Sequence, residues 1–247
     1  MDTVLKQVDA QPGGMVSGSI HIEGGAHPVN IASVNLALAS EIETDDGDRA
    51  AVIEYDKESI YGTLWLPPGG REIIDFELPL AWDIPLTHFY GQALGGTSIG
   101  VATELEINGG FSSTDLDLIA VHPLPSQQRI LEAFHNLGFH FEGAFCEEGQ
   151  ISGLDLSGYD LLPFYQEIEL TPPPGQTYGI TQLEVTFVAG PHDMIVVLEL
   201  DKRGGLFSSD HEVFGSLVAD HRTSLQIDWE KELDHVLRES GRRRGLF

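Results

Sequence analysis

One cysteine in 247 residues leaves Cys146 without a partner for an internal disulfide and leaves too few thiolates for a cysteine-based zinc site. Basic side chains are nearly as scarce. Lys and Arg number 13, only 4 of them lysine, against 39 Asp and Glu, a formal charge of −26 with histidine neutral. That balance excludes nucleic acid as a partner, because nothing neutralises phosphates. It equally disfavours adsorption to anionic membrane through basic clusters. No uninterrupted apolar run reaches bilayer-spanning length, and the start MDTVLKQVDAQPGG has neither a positive leader nor an apolar segment behind it. A cytoplasmic protein without stable membrane insertion is expected. Also missing are G-x-x-x-x-G-K-[ST], G-x-G-x-x-G and H-E-x-x-H, so no motif points to a phosphate cradle or a zinc protease.

What is present is patterned apolar sequence. Hydrophobic residues make up 41% of the chain, too many and too regularly placed for a disordered segment. The acid is spread evenly, net −15 over residues 1–120 and net −11 over 121–247. It reads as a solvated skin over the whole molecule, suited to solubility or to a saline cytoplasm. In the first half, Val34, Leu36, Leu38 and Ile42 recur at period two, as do Val16, Ile20 and Ile22; Phe76, Leu78 and Leu80; and Ile99, Val101, Leu105 and Ile107. Such alternation marks half-buried strands. Gly-Gly pairs punctuate them, and with no helical segment between strands a β-sandwich follows.

Pro123 and Pro125 mark a boundary, after which the period changes. SQQRILEAFHNLG carries Ile130, Leu131, Phe134 and Leu137 on one helical face, with Ser126 as the expected N-cap and Gly138 as C′. Strands resume in HFEGAFCEE, PFYQEIEL, QLEVTFVA and MIVVLEL, where Leu183, Val185 and Phe187 alternate with polar or acidic neighbours. DWEKELDHVLRES closes as a helix with Trp229, Leu233, Val236 and Leu237 as its stripe, Asp228 as cap and Asp234–Arg238 as an i,i+4 pair. The expectation is two β domains, residues 1–121 and 122–247, the second carrying packing helices near 126–138 and 228–239. The basic tail Arg242–Arg244 reads as a frayed, solvated end.

Several clusters are candidates for chemistry. Asp45, Asp46 and Asp48 flank Gly47 and could offer oxygen ligands to calcium, yet Lys57 stands where an EF-hand needs its twelfth-position glutamate; a solvated turn is the alternative. Glu132 and His135 form E-x-x-H on a helix, but a di-iron bundle needs four helices. His211 and His221 read as surface or turn histidines. Cys146, beside Glu147 and Glu148, is expected to have a raised pKa from that negative charge, unlike an attacking thiolate. Lys202 and Arg203 lie in the turn DKRGGLFSSD and would pair with nearby carboxylates. With Phe207 they are the candidate interaction residues. Pairs among so many carboxylates leave a hydrolase open as a rival.

The stretches DTVL at 2–5, PGGMVSGSIHIEGG at 12–25, VHPLPSQQRILEAFHNLGFHF at 121–141, LPFYQEIEL at 162–170, LEVTFVAG at 183–190 and LELDKRGGLFS at 198–208 resemble the bacterial sporulation-control proteins of the SpoOM family. The segment EIETDDGD and the end RRRGLF match less well. The resemblance implies an arrestin-like, mainly β fold of two consecutive sandwich domains, the second carrying two amphipathic helices. It implies a non-enzymatic regulatory or scaffold protein, without cofactor, working through protein–protein interaction in developmental, cell-division or stress control. Protein partners are the implied associations, and a helix or an edge strand leaves room for a homodimer. A calcium-responsive module gated by Asp45–Asp48 and a carboxylate hydrolase are the alternatives.

Overall fold

The computed structural model describes residues 1–43, 50–151, 153–175, 178–200 and 212–244. The first part of the chain folds as β1 (Asp2–Leu5), β2 (Asp9–Ala10), β3 (Met15–Glu23), β4 (Val29–Glu43), β5 (Ala50–Tyr61), β6 (Leu64–Leu66), β7 (Arg71–Pro79), β8 (His88–Phe89), β9 (Gln92–Ala93), β10 (Ile99–Ile107) and β11 (Ser113–Val121). The remainder forms α1 (Pro125–Asn136), β12 (His140–Glu148), β13 (Phe164–Thr171), β14 (Leu183–Ala189), β15 (Asp193–Leu200), β16 (Glu212–Asp220), a short 3-10 turn at Ser224–Gln226, and α2 (Trp229–Arg244). The molecule is mainly β, with two sheet-rich domains and both described helices in the C-terminal one.

In the N-terminal domain β1, β3 and β7 form a three-stranded sheet, while β4 pairs with β10 on one side and with β5 and β6 on the other. The chain start is held far from its sequence neighbours. The amide of Thr3 donates to Asp115 Oδ2 at 2.8 Å, its hydroxyl meets Thr103 Oγ1 at 2.8 Å, and β2 runs parallel to β11 through Asp9 and Ala10 opposite Ala120 and Val121. In the C-terminal domain β12 to β16 pair antiparallel in sequence order. One parallel bridge, Glu147 opposite Glu43, links β12 to β4, so a single path of paired strands runs from β16 through to β2.

Apolar alternation does place Val16, Ile20, Ile22, Phe76, Leu78, Ile99 and Val101 in the core. The main apolar cluster then continues across both domains to Ile168, Val185, Leu198 and Trp229. Three strands depart from the half-buried expectation. Val34 through Ser40 of β4 are all buried, and so are Leu183 through Thr186 of β14 and Val196 through Glu199 of β15. Central strands covered on both faces bury their polar positions too.

The helices also correct the reading in detail. Leu124, not Ser126, is the N-cap of α1. Pro125 occupies the first turn, where its missing N–H costs nothing, and Gln127 Oε1 accepts the Leu124 amide at 2.8 Å. At the other end Gly138 (φ +88°) donates to His135 O and Phe139 to Phe134 O, a Schellman closure, with the Phe134 and Phe139 rings packed edge-on at 5.5 Å. Asp228 Oδ1 accepts the Lys231 amide at 3.2 Å as the expected cap of α2, and Arg238 Nε donates to Asp234 Oδ2 at 2.7 Å. The backbone of α2 runs to Arg244 instead of fraying near 239.

Candidate functional site

The two domains meet in a network of buried polar contacts. Gln166 on β13 accepts the Leu86 amide at 2.9 Å and donates through Nε2 to Leu86 O (2.7 Å) and Thr97 Oγ1 (3.0 Å). Thr97 donates in turn to Ala144 O at 2.6 Å, and the Ala144 amide donates to Gly95 O at 2.8 Å. Gly96 (φ +94°) allows this approach, since a Cβ there would lie 2.5 Å from the Phe145 ring and 2.6 Å from Ala144 O. Beside the junction opens a cleft of about 460 Å³ lined by Phe89, Tyr90, Leu94, His135, Phe141 and Gly143. Phe89 packs on Phe141 with ring centroids 4.9 Å apart, and Tyr90 meets His135 edge-on at 6.0 Å. Tyr90 is 57% exposed, an aromatic presented to solvent at the rim.

Cys146 sits in the junction, buried, receiving the Ser40 hydroxyl at 3.8 Å with Thr97 Oγ1 at 4.0 Å. Burial pushes its thiol up to about 11, while the two hydroxyl contacts pull the other way. The expected direction holds, but the cause is desolvation and not Glu147 or Glu148. Such a thiol is no nucleophile.

On the opposite face of the C-terminal sheet lies a group that alternation in the sequence conceals. Glu169, Glu184 and Glu199 stand in one row across β13, β14 and β15, with Glu167 two residues along β13. Carboxylate oxygens of Glu167, Glu184 and Glu199 all lie within 4.8 Å of one another, and the three residues are only 5%, 6% and 4% exposed. At an effective dielectric of about 20, two charges this close repel by more than about 3 kcal/mol. Burial first, then the neighbouring Glu184, Glu147, Glu199 and Glu169, hold the Glu167 carboxyl far above the ordinary range. Farther along the same face, Ile151, Leu156, Val188 and Val197 form a second apolar cluster with Tyr159 and Tyr165 packed on it. The connection between β12 and β13 thus covers the sheet beside the glutamates. The strand pattern implied outward acids at these positions; the structure turns them inward under cover.

Asp45, Asp46 and Asp48, and likewise Lys202, Arg203 and Phe207, lie outside the described residues, as does His211. Glu132 and His135 do not converge on a metal site. Glu132 accepts from Gln128 at 2.7 Å and pairs with Arg129 at 3.1 Å, whereas His135 faces the Tyr90 ring. His221 lies in the turn after β16, one of the two places read for it, and is tied into the structure there. Half-buried, it donates from Nε2 to Gly190 O at 2.9 Å, so its Nδ1 accepts the Ser126 hydroxyl at 2.8 Å, and Trp82 stacks on its ring. These contacts make His221 a spacer between α1, the β14–β15 turn and the N-terminal domain.

A model of the family described as "SpoOM protein" matches residues 1–204. The chain belongs to this family. It is 28% identical over 246 residues to the sporulation-control protein spo0M of Bacillus subtilis (strain 168), covering 97% of this chain and 91% of that one. The crystal structure of Spo0M, sporulation control protein, from Bacillus subtilis superposes with a TM-score of 0.80 at 26% identity, covering 97% of each chain. SpoOM similarity therefore extends through both domains and their helices. Among the described residues, no helix is long and apolar enough to cross a membrane.

Proposed function

We propose that this chain is a non-enzymatic regulatory or scaffold protein of the sporulation-control type, working in the cytoplasm by protein–protein contact. The observation that carries the reading is the structural match to the Bacillus subtilis sporulation-control protein over 97% of both chains. On this reading the two sheet-rich domains are arrestin-like sandwiches, residues 1–121 and 122–247. A partner protein docks in the aromatic cleft beside their junction, where Tyr90 and Phe141 offer the exposed and half-buried anchors that interfaces favour. The acidic surface steers basic faces of partners toward it. A homodimer built on an edge strand or helix belongs to the same proposal, and sedimentation of the purified chain tests it. The carboxylate-hydrolase alternative fits poorly, because the clustered glutamates are buried and present little surface to a substrate.

In-cell crosslinking of the chain and of a Tyr90→Asn variant tests the docking reading, asparagine being tolerant of the left-handed backbone at this position (φ +52°). The expected result is a reproducible set of crosslinked proteins that the variant loses. Equal recovery by both chains, or no reproducible protein with either, overturns it.

A further inference from the structure

The glutamates at positions 167, 184 and 199 are placed by three different strands, and no helix or loop geometry is needed to bring them together. Glu184 and Glu199 are directly opposed across β14 and β15. Glu167 stands one position beyond Ile168, the last residue of β13 in the ladder to β14. The pairing of β15 with β16 is irregular between Leu198 and Glu199, the kind of local bulge that re-aims a side chain. Glu167 is 5% exposed, and among the described residues its Oε1 finds no hydrogen-bond partner although the atom is buried. A buried carboxylate oxygen without a donor is rare in a folded protein and calls for an explanation such as an ion. The same carboxylate group has an oxygen within 4.8 Å of a carboxylate oxygen on each of Glu184 and Glu199.

We propose that Glu167, Glu184 and Glu199 form a binding site for one hard divalent cation, with calcium the best fit. The donor set is all oxygen and all carboxylate, which suits calcium, magnesium or manganese and not the softer metals that select sulfur or imidazole. All three oxygens lie within 4.8 Å of one another, no pair farther apart than twice a calcium–oxygen distance of about 2.4 Å, so one ion can bridge them. Magnesium, with bonds of about 2.0–2.1 Å and reluctant dehydration, needs more water around it than a covered sheet face gives. Glu147 is turned away from the role by the Tyr165 hydroxyl, which donates to its Oε2 at 3.2 Å. Bound there, the ion ties β13, β14 and β15 together through their side chains. This cation site is distinct in sequence from the Asp45–Asp48 turn. Lys202 and Arg203 follow Glu199 by three and four residues, and a basic side chain or a shared proton is the competing neutraliser.

The test uses the full chain, stripped with chelator and held in potassium chloride at physiological ionic strength so that nonspecific screening of the acidic surface is constant. Calcium, magnesium and manganese chlorides are each titrated calorimetrically, and thermal midpoints are taken with and without each ion. One calcium site per chain is expected, with a raised midpoint reversed by chelator. In Glu167→Gln, binding is expected to weaken by at least about tenfold and the calcium-dependent shift to vanish, while Asp46→Ala keeps both. Glutamine preserves the shape at 167 and removes a buried charge; if that variant does not fold by circular dichroism, Glu199→Gln replaces it. No stoichiometric binding of any of the three ions overturns the proposal and leaves a proton or a basic side chain as the neutraliser. Binding unchanged in the glutamine variant, or lost in Asp46→Ala, also overturns it and moves any calcium site elsewhere.

Discussion

At Asp83 the Leu162 amide donates to one carboxylate oxygen at 2.8 Å, while the other is buried and, among the described residues, unpartnered. Burial outweighs the amide's help and pushes the carboxyl up to about 6. An unfolded aspartate titrates near 3.9, so the native state holds the extra proton between about pH 4 and pH 6. Stability attributable to this residue is therefore present at low pH and lost as pH rises through that window. Asp83→Asn keeps an oxygen for Leu162 and removes the charge. It is expected to flatten this part of the pH profile and to raise stability at pH 7 by up to about 3 kcal/mol. Urea midpoints measured between pH 4 and pH 7 decide the matter: parallel profiles for the two chains would refute the assignment. Cys146 shows the same physics without a functional consequence, since its environment comes from residues far off in sequence and not from its charged neighbours.

Among the elements, α1 depends on how it stops. Alanine at 138 would have to hold a left-handed backbone, and its Cβ would meet Pro173 Cβ at 3.2 Å. Gly138→Ala is expected to cost about 1 kcal/mol or more and to lower the thermal midpoint; an unchanged midpoint would show that the Schellman closure is dispensable. The C′ glycine, the Asp228 cap and the stripes of both helices were legible in the sequence because each is a local signal. The inward strands β3, β4, β7 and β10 were legible because their apolar residues alternate toward a core. Strand β11 was not, for a physical reason: Leu116 and Leu118 are 50% and 60% exposed, while Asp115 turns in to receive Thr3. Its alternation is real but reversed in sense. The glutamate cluster was hidden in the same way, because acid alternating with Leu and Val in β14 and β15 reads as an outward face until the other strands and the β12–β13 connection are placed.

For the whole molecule, the domain junction sets how independently the two sheet-rich parts behave. The Gln166 amide serves both backbone groups of Leu86 and the Thr97 hydroxyl. Leucine would leave the N–H and C=O of Leu86 buried without those partners, each worth about 1–3 kcal/mol. Gln166→Leu is expected to destabilise the chain by about 2–4 kcal/mol and to split one calorimetric transition into two as the domains uncouple. A single transition at an unchanged temperature would show that the apolar cluster alone joins them. The tethering of β1 and β2 has a further outcome during synthesis. Thr3 waits for Thr103 and Asp115, 100 and 112 residues downstream, and β2 waits for Ala120 and Val121. β1 can pair with β3 early, but its contacts to Thr103 and Asp115, and the whole pairing of β2, are among the last of their domain to form. Until about half the protein has been translated β2 lacks its partner strand, a period in which a nascent-chain chaperone has most to protect.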